Sequence, residues 1–283
     1  PMNAILPILA AVLQASSFTL DKIILSVRHV GHRAYVGISF PLIFLITLAI
    51  FAIVRPPLSF DLFAGGLGWL ITASVAMTIA TNLFFYRALD ADALGEIQTL
   101  ELLPAIPVIL FSGVIFTDER RLAILIPALV AAMVIVWAHW ERRHVRIAKR
   151  TLPFLLWALA VAPIGAAISK TLLSVWNPIS LELVRSGAVA AVLAPFYSRW
   201  SRGIPLQAFR LLLLTNVLTT IAWILFYFSY QRSGIVYTLL LFSIQPVLVY
   251  FASAVLLRER LQGKKVVAFG VVLVSIAVAQ FLV

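Results

Sequence analysis

Apolar residues run along this chain in stretches of about 20, each long enough to cross a hydrocarbon layer of about 30 Å as a helix. Ten such stretches are legible, at 4–27, 34–54, 62–86, 93–117, 122–140, 152–173, 178–197, 207–230, 234–257 and 265–283. None shows the short two-residue alternation of a membrane barrel strand, and a helix satisfies its own backbone groups where water is absent. The pattern predicts an all-α integral membrane fold of ten transmembrane helices joined by short connections. The longest polar stretch, ERRHVRIAKR at 141–150, falls at the midpoint. It reads as a basic hinge between a first five-helix unit, 1–145, and a second, 146–283.

Composition agrees with a lipid solvent. Of 283 residues 63% are hydrophobic and 12% charged, with a mean hydropathy of +1.06, well above the apolar share of an ordinary soluble domain. The formal charge of +11 invites a nucleic-acid partner, but its placement argues against one. Fifteen Lys and Arg lie in, or at the span starts bordering, connections that follow odd-numbered spans, Arg210 and Lys265 being the two at span starts, and four lie in connections that follow even-numbered spans. The positive-inside rule then makes the odd connections cytoplasmic and puts both termini outside. The basic groups meet the anionic surface of the lipid bilayer, and no nucleic acid is expected. The absence of Cys excludes disulfides and thiolate metal sites.

One short stretch repeats. LDKIILS (20–26) sets Asp21 beside Lys22 near the end of the first span, and ISKTLLS (168–174) aligns Lys170 with Lys22 near the end of the sixth. TIATNLFFY (78–86) lines up with TIAWILFYF (220–228), and FTDERR (116–121) with LLRERL (256–261). The common order in both halves indicates an internal duplication. With five spans in each half the two copies are inverted repeats, which puts Lys22 near the cytoplasmic mouth and Lys170 near the external one. Such halves suit alternating access, with the two lysines as gates. The plain alternative is that each lysine snorkels to the headgroups, with Asp21 as the neighbour of Lys22.

These features resemble the drug/metabolite transporter (DMT) superfamily, EamA branch. The resemblance rests on two five-span repeats, the aromatic end of the third span (FFYRAL, 84–89), Pro246 followed by Glu259 and Arg260, and Arg185 in the seventh span. The first half departs from the second: LPAIP (103–107) holds Pro104 and Pro107 at other spacings, and Ser39 stands where Arg185 aligns. The resemblance implies a secondary active transporter that exports or exchanges small metabolites, often amino acids, their derivatives or toxic organic compounds. A multi-pass place in the cell inner (plasma) membrane is expected.

The pathway belongs where polarity collects inside spans, since a charge at the bilayer centre is costly. Glu182 and Arg185, and likewise Gln98 and Glu101, are three residues apart and share a helix face. Asn216, Trp223 and Tyr227 lie along the eighth span, Tyr237 and Gln245 along the ninth, and Asn82 and Thr81 are the third-span counterparts. Glu101, well inside its span, is a candidate for proton coupling, for a cationic substrate group, or for a pair with a base from another span. Glu182 and Arg185 also read as a structural ion pair, the aromatics as packing, and the Glu119–Arg120 and Glu259–Arg260 pairs as fixing helix termini. The fifth and tenth spans carry no charge in their apolar stretches and are expected at the periphery, facing lipid or a second copy.

Other classes fit less well. His29, His32, His139 and His144 sit at span ends or in connections without metal-binding spacing, and GGLG (65–68) lacks the strand and Lys of a phosphate loop. No enzyme, metal or cofactor is expected. Without a nucleotide-binding motif the driving force is an ion gradient, a proton gradient included, or exchange. The expected partners are a small-molecule substrate and the bilayer, with the protein a monomer or homodimer. A multidrug or organic-cation exporter and a non-transporting membrane interaction protein are the alternatives.

Overall fold

The computed structural model describes residues 2–27, 30–94, 97, 100–120, 122–138, 140–141, 144–145, 151–197, 204–258 and 262–282. Among them run α1 (Met2–Leu25), α2 (His32–Val54), α3 (Gly66–Ala91), α4 (Ala105–Ile115), α5 (Leu122–Ala138), α6 (Leu152–Leu173), α7 (Pro178–Leu193), α8 (Leu206–Ser233), α9 (Ile235–Phe242), α10 (Ile244–Leu256) and α11 (Gly263–Leu282). Seven helical segments are long and apolar enough to cross a membrane, with α9 and α10 counted as one. The chain is a helical, multi-pass membrane protein. The other expected spans appear as α4 and α5, which are shorter, and α11.

Two interruptions have visible causes. Residues 101–104 form a turn ahead of α4, because Pro104 and Pro107 donate no N–H and their rings crowd the carbonyls of the preceding turn. The expected fourth span is therefore broken. The ninth is broken at Ser243 between α9 and α10, four residues after Leu239, whose carbonyl accepts the Ser243 N–H. Pro246 supplies the same steric reason there. At the midpoint, Trp140–Glu141 pairs antiparallel with His144–Val145; the rest of the expected hinge lies outside the described residues.

The helices pack in a regular scheme. α1 crosses α8 and also meets α9 and α10; α6 meets α3 and α4. α2 packs on α7, α5 on α11, α2 on α8 and α7 on α3. The main core joins residues of both halves, among them Phe18, Tyr35, Phe85, Phe154, Leu181 and Phe226. α5 and α11 turn large apolar side chains outward, including Leu122, Met133, Val274 and Phe281, as a surface in lipid permits.

Candidate functional site

A cavity of about 370 Å³ opens among α1, α2, α3, α6, α7 and α8, with Val108 of α4, Leu239 of α9 and Glu101 of the turn completing its wall. Its size falls in the range of small-molecule sites. Asn82, Glu101, Glu182, Arg185, Asn216, Trp223 and Tyr227 all line it. Gln98 lies outside the described residues. Tyr237 and Gln245, expected on the path, do not line this cavity: both are buried, and Tyr237 packs with Ile109, Ile124 and Val236. In α9 the cavity is reached by Leu239, two residues on from Tyr237 and so on another face of the helix.

One wall of the cavity is ionic and aromatic. Arg185 donates to Glu182 and to the Tyr227 hydroxyl, and its guanidinium stands 5.0 Å from the Tyr227 ring centroid. The three-residue spacing on α7 makes the first contact possible, and pairing spares each charge the cost of lone burial. Trp223 continues this wall, 5.7 Å from Tyr227 and 5.2 Å from Phe226 between ring centroids.

Other lining positions are amide and hydroxyl. Asn216 Nδ2 donates to Leu212 O (2.7 Å) and to Ser39 Oγ (3.3 Å), so the residue aligned with Arg185 serves as an acceptor. Asn82 Nδ2 donates to Thr78 O (2.9 Å), and Trp157 Nε1 to Thr81 Oγ1 (2.9 Å). Gln14, which the sequence reading passed over, also lines the cavity, and its Oε1 is buried without a partner among the described residues. Glu101 sits in the turn ahead of α4 rather than inside a helix, and it acts on the Tyr86 hydroxyl electrostatically.

The two repeated lysines hold helix ends. Lys22 Nζ donates to Leu89 O (2.6 Å) and Asp92 O (2.7 Å) at the C-terminus of α3, where carbonyls lack helical partners and the dipole favours a cation. Lys170 Nζ lies 2.5 Å from both Asp118 Oδ2 and Glu119 Oε1 and 4.6 Å from the Phe116 ring centroid. Leu89 and Asp92 precede the fourth segment and Asp118 and Glu119 end it, so the lysines stand at its two ends. Neither lysine points to open solvent as a snorkelling side chain does: Lys22 is half-buried and the Lys170 side chain is 19% exposed.

Glu119 does more than pair. Its Oε1 accepts from Ile235 N (2.7 Å) and its Oε2 from Val236 N (3.0 Å), capping the start of α9 from another segment. Gly234 makes room: at φ +86° and ψ 174° it holds a backbone shape nearly confined to glycine, and a Cβ there would meet Glu119 Oε1 at 2.6 Å. Arg120 caps the other way, donating to Gly113 O and Val114 O (2.8 Å each) at the end of α4. The Glu119–Arg120 pair thus fixes two helix termini; Glu259 and Arg260 lie outside the described residues.

Residues 150–280 match the EamA-like transporter family. The match covers the second part of the chain. The matched stretch carries Lys170, the Glu182–Arg185 pair and the Trp223–Tyr227 wall, and the similarity supports the DMT, EamA-type resemblance drawn from the sequence. A crystal structure of another protein superposes over 99% of this chain and 97% of its own with a TM-score of 0.73 at 16% identity; that likeness is one of fold. No curated protein matches the chain in sequence.

Proposed function

We propose that the chain is a secondary active transporter that exports or exchanges small organic solutes, amino acids and related metabolites foremost, by alternating access across a cell inner membrane. The observation that carries this reading is the cavity walled by both halves of the chain, with one lysine clasp at each end of the segment that flanks it. The Arg185–Glu182 pair offers complementary charge to a zwitterion, Trp223 and Tyr227 offer faces for an apolar or cationic part, and Gln14, Asn82 and Asn216 offer amides. Release of the Lys22 clasp on one side and the Lys170 clasp on the other would open the two mouths in turn.

Ten spans in two inverted repeats, 1–145 and 146–283, fit the packing. Exchange of each span with the one five places on turns α1 on α8 into α6 on α3, α1 on α9 and α10 into α6 on α4, and α2 on α8 into α7 on α3, while α2 on α7 and α5 on α11 map onto themselves. Such exchange symmetry is what a rocking pair of halves requires. The peripheral α5 and α11 suit a lipid-facing side or a homodimer contact.

Transport is tested in liposomes with labelled amino acids beside labelled organic cations. Saturable flux of an amino acid that Trp223→Ala reduces at least about tenfold, from the loss of one stacked aromatic, supports the reading. Flux of cations alone favours the multidrug alternative, and no saturable flux of either class overturns the proposal.

A further inference from the structure

Asp21 lies near the end of α1, 0% exposed, and has no part in the path just described. Its Oδ1 accepts from Tyr35 Oη of α2 (2.6 Å) and Thr215 Oγ1 of α8 (2.5 Å), and its Oδ2 from Tyr86 Oη of α3 (3.2 Å). Among the described residues no Lys, Arg or His pairs with it. The titratable groups facing it are Tyr35 and Tyr86, with Glu101 acting on Tyr86, while the adjacent Lys22 turns to the carbonyls of α3. α9 and α10 also pack on α1, and no hydrogen bond from either reaches this carboxylate among the described residues. Three neutral donors compensate only in part for taking a carboxylate from water into a membrane interior.

The hydrogen bonds do not stop at Thr215. Its Oγ1 is 2.6 Å from Ser17 Oγ, and Ser17 Oγ is 2.5 Å from Thr219 Oγ1. Ser17 and Thr215 are fully buried, whereas Thr219 lines the cavity. Asp21, Thr215, Ser17 and Thr219 therefore form a continuous file from a buried carboxylate to the solute cavity, threaded through the crossing of α1 and α8. Thr215 Oγ1 is also 3.1 Å from Ser17 O, so its single hydrogen has a second acceptor when it leaves Asp21.

We propose that this file is a proton relay and Asp21 the proton-binding site that couples solute movement to a proton gradient, an inference that rests on the transporter reading. With Asp21 ionised, Thr215, Ser17 and Thr219 all donate toward it. A proton from cavity water joins Thr219 Oγ1; the Thr219 hydrogen passes to Ser17 Oγ, that of Ser17 to Thr215 Oγ1, and that of Thr215 to Asp21 Oδ1. Each hydroxyl gains one hydrogen and gives one up, the water loses one proton, and Asp21 becomes neutral. The former donor Thr215 then accepts from Asp21, which reverses the polarity of the α1–α8 contact and gives the proton a mechanical effect.

The test needs no known solute. Infrared difference spectra of purified protein between acid and alkaline pH are expected to contain a protonated-carboxyl band that Asp21→Asn removes. Ser17→Ala keeps Asp21 and cuts the file, so the band remains at equilibrium but forms at least about tenfold more slowly after a pH jump. Thr219→Val repeats that result from the cavity end. Identical spectra for wild type and Asp21→Asn, or unchanged kinetics in both relay variants, overturn the proposal. In liposomes, a proton gradient drives accumulation by wild type and not by Asp21→Asn. Flux with no Asp21 band removes the relay and leaves the transporter; an Asp21 band without flux of any solute leaves the proton site and removes the transporter.

Discussion

Replacing Glu119 with Gln perturbs the Lys170 clasp at one carboxylate. In the wild-type chain Oε1 takes hydrogen bonds from Ile235 N and Lys170 Nζ, and Oε2 one from Val236 N. A glutamine keeps one acceptor oxygen and sets an NH₂ group against the donor on the other side. A buried donor left without an acceptor costs about 1–3 kcal/mol. Loss of the charge beside Lys170, which is 19% exposed and retains Asp118 at 64% exposed, adds about 1 kcal/mol. The sum, about 2–4 kcal/mol, raises the open fraction at that mouth about 30- to 700-fold, at about 1.4 kcal/mol for each factor of ten.

The assay uses the absence of cysteine in the native chain. Ser169 lines the cavity beside Lys170, so Ser169→Cys reports access from that mouth to a membrane-impermeant thiol reagent. The labelling rate is expected to rise by the factor given in Glu119→Gln, and by less than about threefold in Asp118→Asn, because the Asp118 carboxylate is exposed and solvent-screened. Equal rates in wild type and Glu119→Gln refute the reasoning, as does an equal rise in both variants, since the α9 cap would then contribute nothing.

Gly234→Ala should reproduce Glu119→Gln, because its Cβ occupies the seat of the carboxylate, and the double variant should label no faster than either single one. Arg185→Met leaves Glu182 buried and unpaired and should lower unfolding stability by about 3–5 kcal/mol; adding Glu182→Gln should restore stability but not flux, as followed by denaturation in detergent and by uptake. Lys22→Met removes the donor to two carbonyls of the α3 terminus and should cost about 1–3 kcal/mol, read as faster labelling of a cysteine at the opposite mouth while Ser169→Cys is unaffected.

The helices were legible because each apolar stretch must satisfy its backbone alone, and the cavity wall because charges and amides inside such stretches have few tolerable locations. Glu182, Arg185, Asn216, Trp223 and Tyr227 were found on those grounds. What periodicity missed depends on partners distant in sequence. Asp21 and Lys22 are neighbours in the chain but point about 100° apart on a helix, and only the packing of α1 reveals that one enters a hydroxyl file while the other caps α3. Glu119 read as a terminus-fixing residue; that the terminus is that of α9, across a seat made by Gly234, required the fold. The proline spacing of the first half signalled asymmetry without showing that it breaks the fourth segment and puts Glu101 in a turn. Tyr237 and Gln245 sat in the right span, but Leu239 is the α9 residue that reaches the cavity.

Alternating access requires one cavity that faces each side of the membrane in turn. Thr78→Cys, on the cavity wall of α3, can be titrated with an impermeant reagent from either face of oriented liposomes, with and without a cross-link joining the Lys170 clasp. Alternating access predicts labelling from both faces in the free protein and, once the clasp is locked, from the Lys22 face alone. Labelling from both faces with the clasp locked, or from neither face in the free protein, would contradict it.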